Sequence, residues 1–326
     1  MAEADQHKTA VITPFGLFEY KVMPMGLKNA TQTLQRYVDS VLAGISGVIV
    51  YCDDILLFSD SSSHLELIDQ VLHLLHTSGL VANKQKSEFY KDTVEFLGHT
   101  LTSGKILPSR KHLQAILDFE VPKTVRQLRR FLGMINFYRK FMPGLSSVTQ
   151  PLTALTSSKV TFQWTETAQQ SFDRLLSMLQ HTTDLCYLAP DDVYTLTTDA
   201  SATGIGAALH SNRGPVGFFS STLHGPETNY SAYDKELLGV FKAVRHFEWL
   251  LLGKTFTLRT DHKPLIYMFN KVATNERRRR QIQYLSTFDA RLEHIAGSEN
   301  TVADTLSRAT DVNPISFTTS LLELSA

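Results

Sequence analysis

The nine residues from Val193 to Ser201 constrain this chain more than any other stretch. Tyr194, Leu196 and Thr198 alternate with Thr195 and Thr197, the period-2 pattern of a half-buried strand. The strand ends on a carboxylate, Asp199, and Ala200, Ser201, Gly204 and Gly206 then turn the chain back. An acid at a strand end among small residues suits a metal ion held close to backbone. Taken alone, Asp199 is read equally well as a turn cap.

Three later acids shift that balance. Glu236 lies in the helical pattern Ser231 to Leu238, Asp261 ends the alternating strand from Phe256, and Asp304 opens a last helix within Asn300 to Arg308. Two strand ends, a helix face and a helix start can converge at one edge of a mixed sheet. Four carboxylates gathered there repel, and some must protonate unless cations neutralise them. Hard divalent ions with oxygen ligands relieve the repulsion, Mg²⁺ first. That is the composition of a two-metal site for in-line attack on a phosphodiester.

The surrounding residues extend the pattern. Thr198-Asp199-Ala200-Ser201 is followed by Asn229-Tyr230-Ser231, Lys235-Glu236-Leu237-Leu238 and Thr260-Asp261-His262-Lys263-Pro264-Leu265. His294-Ile295-Ala296-Gly297 then runs into Asn300 and Ala303-Asp304-Thr305-Leu306-Ser307-Arg308. In this order and spacing, residues from about 190 to 309 resemble the RNase H domain of a gypsy-class LTR retrotransposon polyprotein. The resemblance places the family's four metal-binding acids on Asp199, Glu236, Asp261 and Asp304. It implies two Mg²⁺ ions, with Mn²⁺ as a substitute, and cleavage of the RNA strand of an RNA/DNA hybrid. Asp199 would bridge both ions.

The first third of the chain carries a second acidic feature. Gly47 to Phe58 reads as two apolar strands flanking the hairpin tip Tyr51-Cys52-Asp53-Asp54. An acidic pair at a tip is usually a solvated turn. Between strands this apolar, Tyr-x-Asp-Asp resembles the palm motif of reverse transcriptases, where Asp53 and Asp54 would bind catalytic metal. Met23 to Ala30 and Phe96-Leu97-Gly98-His99 agree, the latter with the family's primer-grip hairpin, which gives Phe96 and Gly98 a nucleic-acid role. Met25, Thr31 and Leu34 depart from the family's usual Phe, Pro and Phe. The family's further carboxylate falls just upstream of Lys8-Thr9-Ala10, where only Glu3 and Asp5 stand, without an apolar strand. The expectation is a truncated palm lacking the fingers, and hybrid cleavage without polymerase activity. A non-catalytic nucleic-acid-binding relic, or a fragment of a complete RNA-directed DNA polymerase polyprotein, stays open beside it.

Further along, the period-3.6 pattern predicts helices over Gln32–Leu42 and Ser63–Gly79, the second with a buried stripe of Leu65, Ile68, Leu72 and Leu75. From Ile106 to Pro143 the chain reads as helical. A helix after Thr124 turns Val125, Leu128, Leu132 and Ile135 inward and carries Arg126, Arg129 and Arg130 elsewhere. The resemblance puts these arginines at the thumb, against phosphates. Arg277, Arg278, Arg279 and Arg280 span a whole helix turn and cannot share one face; the resemblance and simple electrostatics imply that some contact the hybrid backbone, and the rest form a solvated patch. His294 sits in a strand and receives no catalytic role, while His262 braces the turn after Asp261.

The expected fold is α+β. A truncated reverse-transcriptase palm (1–105), thumb (106–145) and connection (146–187) precede an RNase H-like mixed five-stranded sheet with flanking helices (188–309) and a tail (310–326). Composition fits: 43% hydrophobic and 20% charged residues describe a globular protein, and the net charge of zero does not advertise a nucleic-acid binder. Two cysteines make no disulfide framework. No apolar run approaches the ~18–20 residues of a membrane span. The resemblance further implies a primer-template partner, the protease and integrase of a Pol polyprotein, and a cytoplasmic location in a virus-like particle, with the nucleus as an alternative.

Overall fold

The computed structural model describes residues 1–189, 191–270 and 275–307, and the expected tail and Arg308 lie outside them. The chain divides into two compact units, Met1–Lys91 and Asp92 onward.

In the first unit a 3₁₀ turn at Glu3–Thr9 leads into a small hairpin, β1 (Val11–Thr13) and β2 (Gly16–Phe18). Strand β2 is only three residues long and pairs with the equally short β1. Helix α1 (Ala30–Val41) precedes the hairpin β3 (Val48–Tyr51) and β4 (Asp54–Leu57), and α2 (His64–Thr77) closes the unit. Val38 and Leu42 meet Leu67, Val71 and Leu75 in its core. The stripe on α2 is therefore rotated from the expected one: Leu67 and Val71 are buried, whereas Leu65 is 65% and Leu72 39% exposed. This helix has apolar residues on overlapping i, i+3/i+4 rows, and packing against α1 and the β3–β4 hairpin selects between them.

The second unit opens with β5 (Val94–Phe96), β6 (His99–Thr102) and β7 (Lys105–Pro108). The helical region expected from Ile106 begins only after β7, because Ile106 and Leu107 pair with Leu101 and Thr100 across a tight turn. Helices follow: α3 (Arg110–Leu117), α4 (Val125–Phe137), α5 (Leu145–Ala154) and α6 (Glu166–Gln180). Thr124 and Thr165 cap α4 and α6 by accepting from the N–H groups of Gln127 and Ala168. The short strand β8 (Leu185–Cys186) adds to β7, completing a sheet in the order β5-β6-β7-β8.

Next comes a five-stranded sheet. Strands β9 (Tyr194–Ala200), β10 (Gly204–Ser211) and β11 (Gly214–Thr222) are antiparallel neighbours. Helices α7 (Ala232–His246) and α8 (Glu248–Leu251) lead to β12 (Phe256–Thr260), which pairs parallel with β9. Helix α9 (Glu276–Leu285) leads to β13 (Ala290–His294), parallel to β12, and α10 (Thr301–Ser307) ends the described chain. The sheet order is β11-β10-β9-β12-β13. Both faces are covered, and strand alternation divides the sheet between two cores. Ala207 and Leu209 join α7 residues Leu237, Val240 and Val244, whereas Ala208 joins Leu128, Leu152 and Leu175 of the preceding helices. The boundary expected near residues 184–188 therefore runs through continuous packing, with Leu185, Phe218 and Leu306 in one cluster.

Candidate metal centre and nucleic-acid surfaces

Parallel pairing of β9 with β12 sets the ends of the two strands side by side. Asp199 is the penultimate residue of β9, and Asp261 directly follows β12. Helix α7 crosses above, with Gly239 facing Ala200 and Ile205: a Cβ built at Gly239 would lie 3.7 Å from Ala200 Cβ. That close approach lowers Glu236, one turn earlier, onto the strand ends. One carboxylate oxygen from each of Asp199, Glu236 and Asp261 lies within 4.8 Å of the others. Three of the four expected acids thus meet.

The electrostatics follow from the crowding. Glu236 is 7% exposed and its carboxyl is pushed up to about 8, first by burial, then by the Asp199 and Asp261 charges, against a hydrogen bond from the Ala200 N–H. Its Oε2 is buried without a hydrogen-bond partner. A buried, unpaired carboxylate oxygen between two other acids is costly in the protein alone and becomes favourable beside a cation. The donor set, all carboxylate, fits Mg²⁺ or Mn²⁺ rather than a soft metal.

Asp261 is braced through its backbone. His294 Nε2 donates to its carbonyl at 3.1 Å, and the Lys263 N–H does so as well. The His262 N–H bonds Thr260 Oγ1, and the His262 ring packs edge-on against Tyr233. Gly297 lets the 297–300 loop pass close, since a Cβ there would stand 3.4 Å from Asp261 Oδ2.

Asp304 is not one of the three acids in that group; it is half-buried in the first turn of α10, its N–H bonded to the Asn300 carbonyl. Helix α10 lies unusually close to β10. A Cβ at Gly206 would sit 2.3 Å from the Ala303 carbonyl oxygen, so only glycine fits. Sequence reasoning gave no role to Ser307, whose hydroxyl donates to Asp199 Oδ2, or to Asn300, whose amide donates to the Thr198 carbonyl. Both residues stood in the matching motif, and only the contacts give them work.

The four arginines diverge. Arg278 pairs bidentately with Asp234, and Arg277 adds a contact at 3.1 Å while its guanidinium lies 3.8 Å above the Tyr230 ring. Arg279 and Arg280 both pair with Glu276 on the solvent side. On α4, Arg126, Arg129 and Arg130 are exposed, and Arg129 also donates to the Thr156 carbonyl. Phe96 ends β5, and Leu97 and Gly98 both take positive φ (49° and 78°) in the tight turn to β6. Gly98 is held there by packing: an added Cβ would press on the Phe137 ring at 3.2 Å.

In the first unit, the two-residue turn Cys52-Asp53 joins β3 to β4, with Asp53 and Asp54 exposed. Cys52 adopts φ 54°, uncommon without glycine, and its N–H is anchored by Gln35 Oε1 at 2.6 Å. The acidic hairpin is therefore supported by α1, a link that spacing along the chain does not reveal.

A mixed five-stranded sheet with two carboxylates at adjacent strand ends and a third from the crossing helix, preceded by a Tyr-x-Asp-Asp hairpin, defines the reverse transcriptase–nuclease class of enzymes. Residues 1–101 match the family described as reverse transcriptase (RNA-dependent DNA polymerase), and residues 164–258 the RNase H-like domain found in reverse transcriptase. The Retrovirus-related Pol polyprotein from transposon 297 of Drosophila melanogaster is 36% identical over 313 residues, covering 94% of this chain and 30% of that protein. The Transposon Tf2-3 polyprotein of Schizosaccharomyces pombe is 33% identical over 321 residues, covering 95% of this chain and 24% of that protein. The chain belongs to the gypsy-type LTR retrotransposon Pol polyproteins, with their reverse transcriptase and RNase H-like domains. It spans less than a third of the length of these relatives. The fold matches the foamy viral protease-reverse transcriptase in complex with dsDNA with a TM-score of 0.84 at 21% identity, covering 91% of this chain and 64% of that one. The same viral protein in complex with RNA/DNA hybrid matches with a TM-score of 0.77 at 22% identity, covering 91% and 42%.

Proposed function

We propose that this chain hydrolyses the RNA strand of RNA/DNA hybrids in a divalent-metal-dependent reaction at Asp199, Glu236, Asp261 and Asp304. The observation that carries this reading is the convergence of three carboxylates, one of which, Glu236, has a buried oxygen, Oε2, without a hydrogen-bond partner. Divalent ions, Mg²⁺ or Mn²⁺, would supply charge neutralisation and an activated water at neutral pH. The chain's own groups do the positioning. Asp199 and Asp261 are fixed by adjacent strands, Glu236 is pressed between them by α7, and Asp304 is the fourth acid, delivered by α10. The walls of buried Thr198, Thr260 and Asn300 keep bulk water from the back of the site. Exposed Arg126, Arg129 and Arg130 on α4, and Arg279 and Arg280 on α9, offer cations to the hybrid backbone, and the Phe96–Gly98 turn offers a second support. That a foamy viral relative in fold has been captured on an RNA/DNA hybrid supports the choice of substrate.

The test is cleavage of a labelled hybrid by the purified 326-residue protein with Mg²⁺ or Mn²⁺. Asp199→Asn should reduce the rate by about 10³ or more, because it weakens the shared anchor of the ions. Activity that survives this substitution, or that needs no divalent ion, would sink the reading.

A further inference from the structure

Helix α10 is fastened to the metal centre at both ends. At its start, Asn300 Nδ2 donates to the Thr198 carbonyl at 3.1 Å. At its end, the Ser307 carbonyl accepts from Ser201 Oγ at 2.7 Å, on the turn that follows Asp199. The Ser307 hydroxyl reaches two acceptors, Asp199 Oδ2 and the Asp304 carbonyl at 2.9 Å. A serine has one proton to give, and an ionised carboxylate holds it more strongly than a neutral carbonyl. Ser307 and Asp199 are each 4% exposed, so water does not stand in for this bond.

The bond matters because of where Asp199 stands. Two other carboxyls crowd it, and repulsion favours any rotation that carries its charge away from them. Resting on the metal-site reading above, we propose that Ser307 is a positioning residue: its hydroxyl pins Asp199 in the orientation that presents the carboxylate to a divalent ion. The same residue joins Asp199 to the helix that bears Asp304, so two acids from distant parts of the chain share one support. Gly204 and Gly206 make this reach possible by letting α10 lie directly on β10.

The experiment measures Mn²⁺ affinity of the full chain by electron paramagnetic resonance, with hybrid-cleavage kcat and KM alongside. Ser307→Ala should weaken Mn²⁺ binding by about tenfold and lower kcat, since one charge-assisted hydrogen bond is lost. KM for the hybrid should stay within about twofold, because the nucleic-acid surfaces are untouched. Ser307→Thr, which keeps the hydroxyl, should recover Mn²⁺ affinity to within about twofold of the parent. If circular dichroism shows that Ser307→Ala does not fold, Ser307→Cys carries the same comparison with a weak donor of similar size, and is expected to bind Mn²⁺ less tightly than the parent. Unchanged Mn²⁺ affinity in the folded variant, with affinity lost in Asp199→Asn, overturns the role of Ser307 alone. Absence of Mn²⁺ binding by the parent chain overturns the metal site itself, and this role with it.

Discussion

Arg278 lays its guanidinium along both oxygens of Asp234, with Nε 2.6 Å from Oδ1 and Nη2 2.8 Å from Oδ2. Asp234 occupies the first turn of α7, where its N–H is also capped by Ser231 Oγ. The pair therefore ties the start of α9 to the start of the helix that carries Glu236.

Removing one partner leaves the other charge largely buried. Arg278→Ala should cost about 2–3 kcal/mol in urea unfolding, at the low end for a buried pair because Arg278 keeps some exposure. The Arg278 hydrogen bonds hold the Asp234 carboxyl far below the usual carboxylate range, ahead of the burial that opposes them. A depressed folded-state pKa contributes stability above the unfolded value, about 3.9, and that stability fades as pH falls below it. The acid limb of stability between about pH 4 and 2 should flatten in Asp234→Asn. An unaltered limb would show that the pair contributes nothing.

Glu236 titrates in the opposite sense. Its folded-state pKa of about 8 lies above the unfolded carboxylate value, so the folded state binds the extra proton. Without divalent ions, the stability it contributes is present below about pH 4.3 and is lost as pH rises towards 8. Melting scans in EDTA should show the melting temperature falling across that window, Mg²⁺ should restore it at pH 8, and Glu236→Gln should remove most of the slope. A Glu236→Gln protein with the parent's pH profile would refute this assignment of the slope.

Gly206→Ala tests the seat of α10. The added methyl would meet the Ala303 carbonyl, the Ser307 N–H and Leu306 Cβ, all within 2.6 Å and two of them backbone. Overpacking against backbone should cost about 2–3 kcal/mol and shift α10 away from β10. Hybrid cleavage should fall more than stability alone explains, because Asp304 and Ser307 move with the helix. Crystallography or hydrogen exchange at 300–307 would reveal whether the helix has moved.

Much of this site is legible in the chain because its determinants are local. Asp199 and Asp261 each end an alternating strand, and Glu236 lies on a helix whose period is plain. What spacing does not show is depth and partnership. Arg277 to Arg280 read as one basic run, yet a helix turn sends Arg278 to Asp234 and Arg280 to Glu276. The stripe on α2 departs from the expected one for a related reason: Leu65 and Leu72 satisfy the helical period as well as Leu67 and Val71, and only packing against α1 and the β3–β4 hairpin decides between them. The support of Cys52 is not legible in the sequence, since neither its left-handed backbone nor its bond to Gln35 has a signature of its own.

Asp53 and Asp54 are the acids of the β3–β4 hairpin. They sit at an exposed two-residue turn, and among the described residues no third Asp, Glu, His or Cys lies near enough to complete a metal-binding group with them. Nucleotidyl transfer on two ions needs a primer hydroxyl and a triphosphate aligned against ions held from more than one side. A pair on a single hairpin can bind an ion loosely but does not fix its position. Losing an anchoring carboxylate costs several kcal/mol of transition-state stabilisation, and each ~1.36 kcal/mol is a factor of ten in rate. Misalignment of the nucleotide adds to that loss. The 326-residue chain, assayed alone on a primed template with all four dNTPs, should therefore cleave hybrid without measurable primer extension. Incorporation that disappears in Asp53→Asn would show instead that another acid of this chain reaches the hairpin when nucleic acid is bound.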